Sequence, residues 1–300
     1  MSITLNLFFI LLFAVIQFSG HSQLIDFINT NALLQLVLFI CVACLPFIKT
    51  KRVSYVDIAW PFGLALIGLQ IILLAEGDLL RSVIVGGIYL FIGLRMGIGA
   101  LVFARKTGVI FKTEFPRYQY RRMLLEKSGS KHVNLHLLAE IMAQGAANMT
   151  ALALPGILIA IRPESELTVL EIFGFSLWIV AYLIESIADG QKLLYSSKDP
   201  KGVCNSGLWK YSRHPNYFAE WLVWTGLVIA SIPSLFELSV SPLYGWIIAI
   251  GTASASAMLY ITLVYLTGAK PAEYYSVKKR AGYREYQEKT NMFFPWFPRS

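Results

Sequence analysis

A chain of 300 residues that is 56% hydrophobic and 15% charged is too poor in charge for a water-soluble monomer, in which about a quarter of residues are charged. The formal net charge of +8 does not mark a nucleic-acid binder, because no basic stripe lies on a soluble module. Three cysteines, an odd number, give no disulfide framework.

In chain order, eight apolar segments approach the ~20 residues that cross a hydrocarbon core. They lie at roughly 3–18, 33–48, 56–74, 83–104, 137–161, 168–187, 218–232 and 242–266. In lipid the backbone of each must bond within its own segment, so each is read as a helix. The fold class is therefore all-α: a polytopic integral membrane protein with seven or eight transmembrane helices. The first segment has no basic residues before it, which sets it apart from a cleaved signal peptide. It is short and polar-ended, which leaves the number of spans at seven or eight. In the second segment Cys41 and Cys44 stand at i and i+3 without the glycine, proline or βαβ context of a redox pair, and read as packing residues. Cys204 reads as a free loop thiol.

Alternate loops share the lysines and arginines 23 to 2, with Arg95 inside a span. The positive-inside rule then puts the basic loops and the C-terminus in the cytoplasm. The N-terminus is inside with eight spans and outside with seven. The closing Phe293-Phe294-Pro295-Trp296-Phe297 reads as an interfacial anchor. Residues 1–52 are read as N-terminal membrane helices and 53–300 as the membrane domain that carries function.

Polar side chains concentrate in 185–224. Glu185 and Asp189 close one span at i, i+4, and Asn216 and Glu220 open the next at the same spacing, so each pair shares a helix face. A carboxylate one turn into a span is costly unless it has a partner or faces a cavity. Two acids, an amide, His214 and Arg213 at one membrane face suggest a site for a polar ligand. The plainer alternative makes Arg213 and His214 interfacial anchors and pairs Glu220 with a lysine. Lys192, Lys198, Lys201, Lys210 and Arg213 suit phosphates. Neither GxGxxG nor a P-loop is present, so a nucleotide would bind in a helical, non-Rossmann way. Upstream, Asp57 opens a span that Pro61 and Gly63 can kink, and Arg95 lies in the fourth span, where it is either functional or in a structural ion pair with Asp57 or Glu220. His132 and His136 lack a third ligand and read as a solvated face, so no metal site is expected.

The string GLWKYSRHPNYFAEWLVWTG resembles the C-terminal domain of steroid 5α-reductases, and is most similar to their bacterial relatives. The Asp189-Gly-Gln191-Lys192 segment fits, as do GLRMG with Arg95, Arg105, EFPRY with Arg117 and Tyr118, and the tyrosine-rich GYREYQEKTNMFFPWFP. The resemblance covers residues 53–300 and is dense over 182–226. It implies an NADPH-dependent membrane reductase that saturates a C=C bond conjugated to a ketone, in a 3-oxo-Δ4-steroid or similar apolar enone. It places Arg95, Arg105, Glu185, Asp189, Lys192, Arg213, His214, Asn216, Tyr217 and Glu220 around the cofactor, although Glu185 stands where the reductases carry Asn. It also implies a carbonyl-polarising acid near Asp57 and a tyrosine, for which Tyr89 is the candidate. The hydride chemistry belongs to the cofactor, while the protein supplies orientation and charge stabilisation.

Two other readings stay open. The RHPxY element also occurs in S-adenosylmethionine-dependent methyltransferases of the isoprenylcysteine type. A non-catalytic lipid-binding or transport protein would show paired broken helices in the two halves. The expected partners are an apolar enone or steroid and the lipid bilayer, without nucleic acid. The expected location is a bacterial inner membrane.

Overall fold

The protein is described by a computed structural model over residues 2–299. Among the described residues the secondary structure is helical throughout, apart from an isolated bridge between Val109 and Thr113. The helices are α1 (Ser2–Phe18), α2 (Ser22–Phe39), α3 (Leu45–Thr50), α4 (Val56–Leu74), α5 (Leu79–Thr107), α6 (Pro116–Lys127), α7 (Val133–Met149) and α8 (Leu154–Ala160). They continue with α9 (Val169–Lys198), α10 (Pro215–Glu237), α11 (Pro242–Ile261), α12 (Ala269–Lys279) and α13 (Tyr283–Lys289).

Among the described residues seven helical stretches are long and apolar enough to cross a membrane: Ser22–Thr50, Val56–Leu74, Leu79–Thr107, Val133–Ala160, Val169–Lys198, Pro215–Glu237 and Pro242–Lys279. The protein is a polytopic membrane protein. The apolar part of α1, Thr4–Phe18, is shorter. The second span begins well before the expected residue 33. Its polar early turns are helical because Asn31 and Gln35 bury their amides in a network. A π turn at Ile40–Cys44 holds Cys41 and Cys44, both free thiols, and joins α2 to α3.

Two compact units emerge: Met1–Ile172 with Val228–Ala255, and Phe173–Leu227 with Ser256–Ser300. Helices α1 and α2 pack with α4 and α7 in the first unit.

In the first unit α4 and α5 meet through small residues, as packed membrane helices do. A Cβ on Gly93 would lie 2.4 Å from the Ala65 nitrogen, and one on Gly68 2.5 Å from the Gly86 carbonyl. The expected helix over 137–161 is broken into α7 and α8. Pro155 lacks the N–H that would continue the ladder to residue 151. The carbonyls freed at the break are not left bare. Asn31 Nδ2 donates to the Asn148 and Met149 carbonyls, and the Tyr89 hydroxyl donates to the Leu152 carbonyl at 2.6 Å. Asn148 Nδ2 in turn donates to the Trp60 carbonyl and to Gln35 Oε1. At the opposite end of α5, buried Arg81 and Arg162 each place a nitrogen 2.8 Å from the Glu171 carboxylate, and Arg162 also chelates Glu237.

The second unit centres on an aromatic cluster of Phe218, Trp221, Tyr260, Phe293 and Phe294, with ring centroids 5.2–6.0 Å apart. The closing aromatics therefore split: Phe293 is buried, while Phe294, Trp296 and Phe297 are exposed.

Candidate functional site

In the second unit the last turns of α9 carry Glu185, Asp189 and Lys192 at i, i+4 and i+7. A short 3₁₀ turn, Gly207–Lys210, docks back onto them. The Leu208 N–H donates to Gln191 Oε1 at 2.9 Å, and Trp209 Nε1 donates to the Ala188 carbonyl at 2.9 Å. Gly207 is required there: its φ is +59°, and a Cβ would meet the Gln191 amide at 2.6 Å. Trp209 in turn sets its ring 4.3 Å beneath the Lys192 ammonium, which holds that charge at the end of α9.

The chain then enters α10 through Ser212-Arg213-His214-Pro215. The Ser212 hydroxyl accepts from the His214 N–H at 3.1 Å and donates to the Phe293 carbonyl at 2.9 Å. Asn216 Nδ2 donates to Asp189 Oδ1 at 3.0 Å, which joins the start of α10 to the end of α9. The two helices run in opposite senses from this contact, so Glu185 and Glu220 come one turn deeper on the same two faces. Asn216 Oδ1 is buried and has no hydrogen-bond partner among the described residues. The His214 ring stacks flat on Tyr217, with centroids 5.2 Å apart.

Arg213 is committed to its own chain. It holds Glu273 bidentately at 2.7 and 3.1 Å and donates to the carbonyls of Gln287 and Thr290. His214 Nε2 lies 3.1 Å from the same Glu273 carboxylate. Burial holds the His214 imidazole below its usual range, although Glu273 pulls the other way. The Tyr286 hydroxyl donates to the Trp209 and Ser212 carbonyls, and burial pushes its ionisation well up. Glu273, Gln287 and Tyr286 were not among the residues expected at the site. A glutamate closing the last apolar segment was the available signal, but its partner lies 60 positions away.

In the first unit Asp57 sits in the first turn of α4. Tyr118 donates to its Oδ1 at 2.8 Å, and Arg117 Nη2 lies 2.7 Å from its Oδ2. Burial would lower the Arg117 ionisation, but the Asp57 carboxylate and Tyr118 outweigh it and hold the guanidinium above its usual range. Burial, and then the carboxylate, push Tyr118 up. The phenol set on Asp57 is thus Tyr118, which sequence register did not single out. Tyr89 is not brought to Asp57. The glycine contacts along α4 and α5 put Tyr89 level with about residue 67, ten residues and ~15 Å of helix rise from Asp57. Arg95 lies half-buried in α5, and Arg105 is exposed in its last turn.

A protein of Schizosaccharomyces pombe, "Uncharacterized protein C594.04c", is 30% identical over 95 residues, which is 32% of this chain. The chain spans only about a quarter of that relative's length (24%). No solved structure matches the chain. Residues 46–290 match the family described as Protein of unknown function (DUF1295), so the chain belongs to that family, which is related to steroid 5α-reductases.

Proposed function

We propose that this protein is an NADPH-dependent membrane reductase that saturates a C=C bond conjugated to a ketone, in a steroid or similar apolar enone. The observation that carries the reading is Asn216: Asp189 fixes its amide, and its buried Oδ1 has no donor among the described residues. A buried acceptor without a partner is costly, and a ligand amide or sugar hydroxyl would satisfy it. The same faces carry Glu185 and Glu220, further acceptors suited to the hydroxyls of a nucleotide. Lys192 supplies a point charge for phosphate. Because Arg213 is consumed by Glu273 and two carbonyls, it acts in this reading as a positioning residue. His214 and Tyr217 form a flat wall beside Asn216.

NADPH, when bound, supplies the hydride. The chain's part is to polarise the carbonyl as negative charge develops on its oxygen. The proposed group is Asp57 with Tyr118 in place of Tyr89. Arg117 pairs with Asp57, and the Tyr118 hydroxyl, which donates to that carboxylate, would turn to donate to the carbonyl oxygen when substrate is bound. An apolar substrate would reach such a protein through the bilayer, here proposed as a bacterial inner membrane with the basic loops inside.

The test is thermal stabilisation of the detergent-purified protein by NADPH, NADH or S-adenosylmethionine, since a ligand of the folded state raises apparent stability according to its affinity. A shift with NADPH supports the reductase. A shift with S-adenosylmethionine alone overturns it in favour of the methyltransferase. Asn216→Ala and Glu220→Ala should each weaken NADPH about tenfold, the equivalent of ~1.4 kcal/mol, in a folded protein. Asp57→Asn should slow enone-dependent NADPH oxidation about a hundredfold while the NADPH shift persists; normal turnover would remove Asp57 from the reaction.

A further inference from the structure

The turn between α5 and α6 is built at a cost. Ile110 is β-branched and fully buried, yet its φ is +78°, a region such residues rarely adopt. Strain of this kind persists where the surroundings over-determine it. Here Arg52 supplies the determination: Nε donates to the Ile110 carbonyl at 3.1 Å, and Nη2 donates to the Phe111 carbonyl at 2.7 Å and to the Tyr55 hydroxyl at 2.8 Å. The Ile110 N–H donates to the Thr113 carbonyl at 3.0 Å, and the Lys112 N–H to the Gly108 carbonyl at 2.7 Å. With Ile110 turned inward, Phe111 rests at the rim of Tyr55, 45% exposed, and Lys112 stands outside.

Apart from Arg105, exposed in the last turn of α5, the basic residues around this knuckle fall into two groups. Arg117 is spent on Asp57, Arg121 on Glu140, and Arg122 on Asn134 and the Lys51 carbonyl. Lys106, Lys112, Lys127 and Lys131 are exposed and make no side-chain hydrogen bond or ion pair among the described residues. The exposed acid among them is Glu126. Interleaved with the lysines are the exposed apolar side chains of Phe103, Phe111 and Leu124. A soluble anion needs only the cations. A surface that alternates lysines with aromatic and aliphatic side chains, beside the end of a membrane span, matches a headgroup phosphate above an acyl boundary.

We infer that residues 103–131 form a docking surface for anionic phospholipid headgroups, with Lys106, Lys112, Lys127 and Lys131 on the phosphates and Phe111 held rigidly at the acyl boundary.

The experiment titrates the detergent-purified full chain with mixed micelles of dioleoylphosphatidylglycerol or dioleoylphosphatidylcholine, reading the unfolding midpoint and the lipid retained in native mass spectrometry. The expected result is at least tenfold tighter retention of phosphatidylglycerol, with a thermal shift that 0.5 M NaCl weakens, since surface charge is screened at that ionic strength. K106Q/K112Q/K127Q/K131Q should abolish the preference, and Phe111→Ala alone should reduce it several-fold. K278Q/K279Q, which removes two lysines elsewhere in the chain, should keep it. Equal retention of the two lipids by the unmodified protein overturns the inference. So does an unaltered preference in the quadruple variant or, should that variant not fold, in K112Q together with Phe111→Ala. A shift of the same size with inorganic phosphate alone would make this a free-anion site and also overturn it.

Discussion

Four donated hydrogen bonds leave Arg213 as a structural hub. Two go to the Glu273 carboxylate, which also faces His214, and two to the carbonyls of Gln287 and Thr290. His214 is held neutral by burial, and this has a sign that can be tested. In the unfolded chain the imidazole takes up a proton near pH 6.5, while in the folded chain it resists. The unfolded state therefore binds more protons below about pH 6.5, so stability falls as pH drops through that range. His214→Gln should flatten the dependence of the unfolding midpoint on pH between about 5 and 7; an unchanged slope would place the titration elsewhere. In the first unit Gly63 leaves room for two buried amides. A Cβ there would lie 2.3 Å from Asn148 Nδ2 and 2.4 Å from Gln35 Oε1. Gly63→Ala should cost about 1–3 kcal/mol through a broken buried hydrogen bond, read as a lower unfolding midpoint in detergent. Sequence spacing picked out Arg213, His214, Asn216 and Glu220 as one polar group. Spacing is silent on whether a guanidinium is saturated by distant parts of its own chain, which is why Arg213 read as a phosphate ligand.

Among the elements, the break between α7 and α8 was the least legible. Hydropathy averages over a window and reports 137–161 as a single apolar run, because the interruption changes hydrogen bonding and leaves polarity alike on both sides. The side chains that repair the break come from α2 and α5, so no local pattern announces it. Tyr89 is explained by this repair: its hydroxyl caps the Leu152 carbonyl deep inside the first unit. Tyr89→Phe should therefore destabilise by about 1–2 kcal/mol, the cost of a bare buried carbonyl, and leave NADPH stabilisation unchanged. A loss of NADPH binding in that variant would restore Tyr89 as a site candidate. By contrast, the spans at 56–74 and 83–104 could be read directly, since their length and composition suffice and their glycines need only be small.

Across the whole molecule, the charge count gave the strongest sequence signal, 23 basic residues against 2. The structure refines the smaller number. Arg81 and Arg162, the two on the sparse side, are both buried in ion pairs with Glu171, so that side presents still less free positive charge. Removing one partner of a buried charged set leaves the others unpaired. Glu171→Gln should thus cost about 3–5 kcal/mol, measured as a large drop in unfolding midpoint; a small change would mean that water relieves the arginines. Each unit is also assembled from two stretches far apart in the chain, and this sets an order of events during synthesis. Thr290, which accepts from Arg213, is 77 positions downstream of it. At elongation rates of about 5–20 residues per second, the guanidinium waits some 4–15 s at the membrane edge before its carbonyl partners exist. During that interval the carbonyls that will enclose the Arg213 guanidinium in the finished protein have not yet been made.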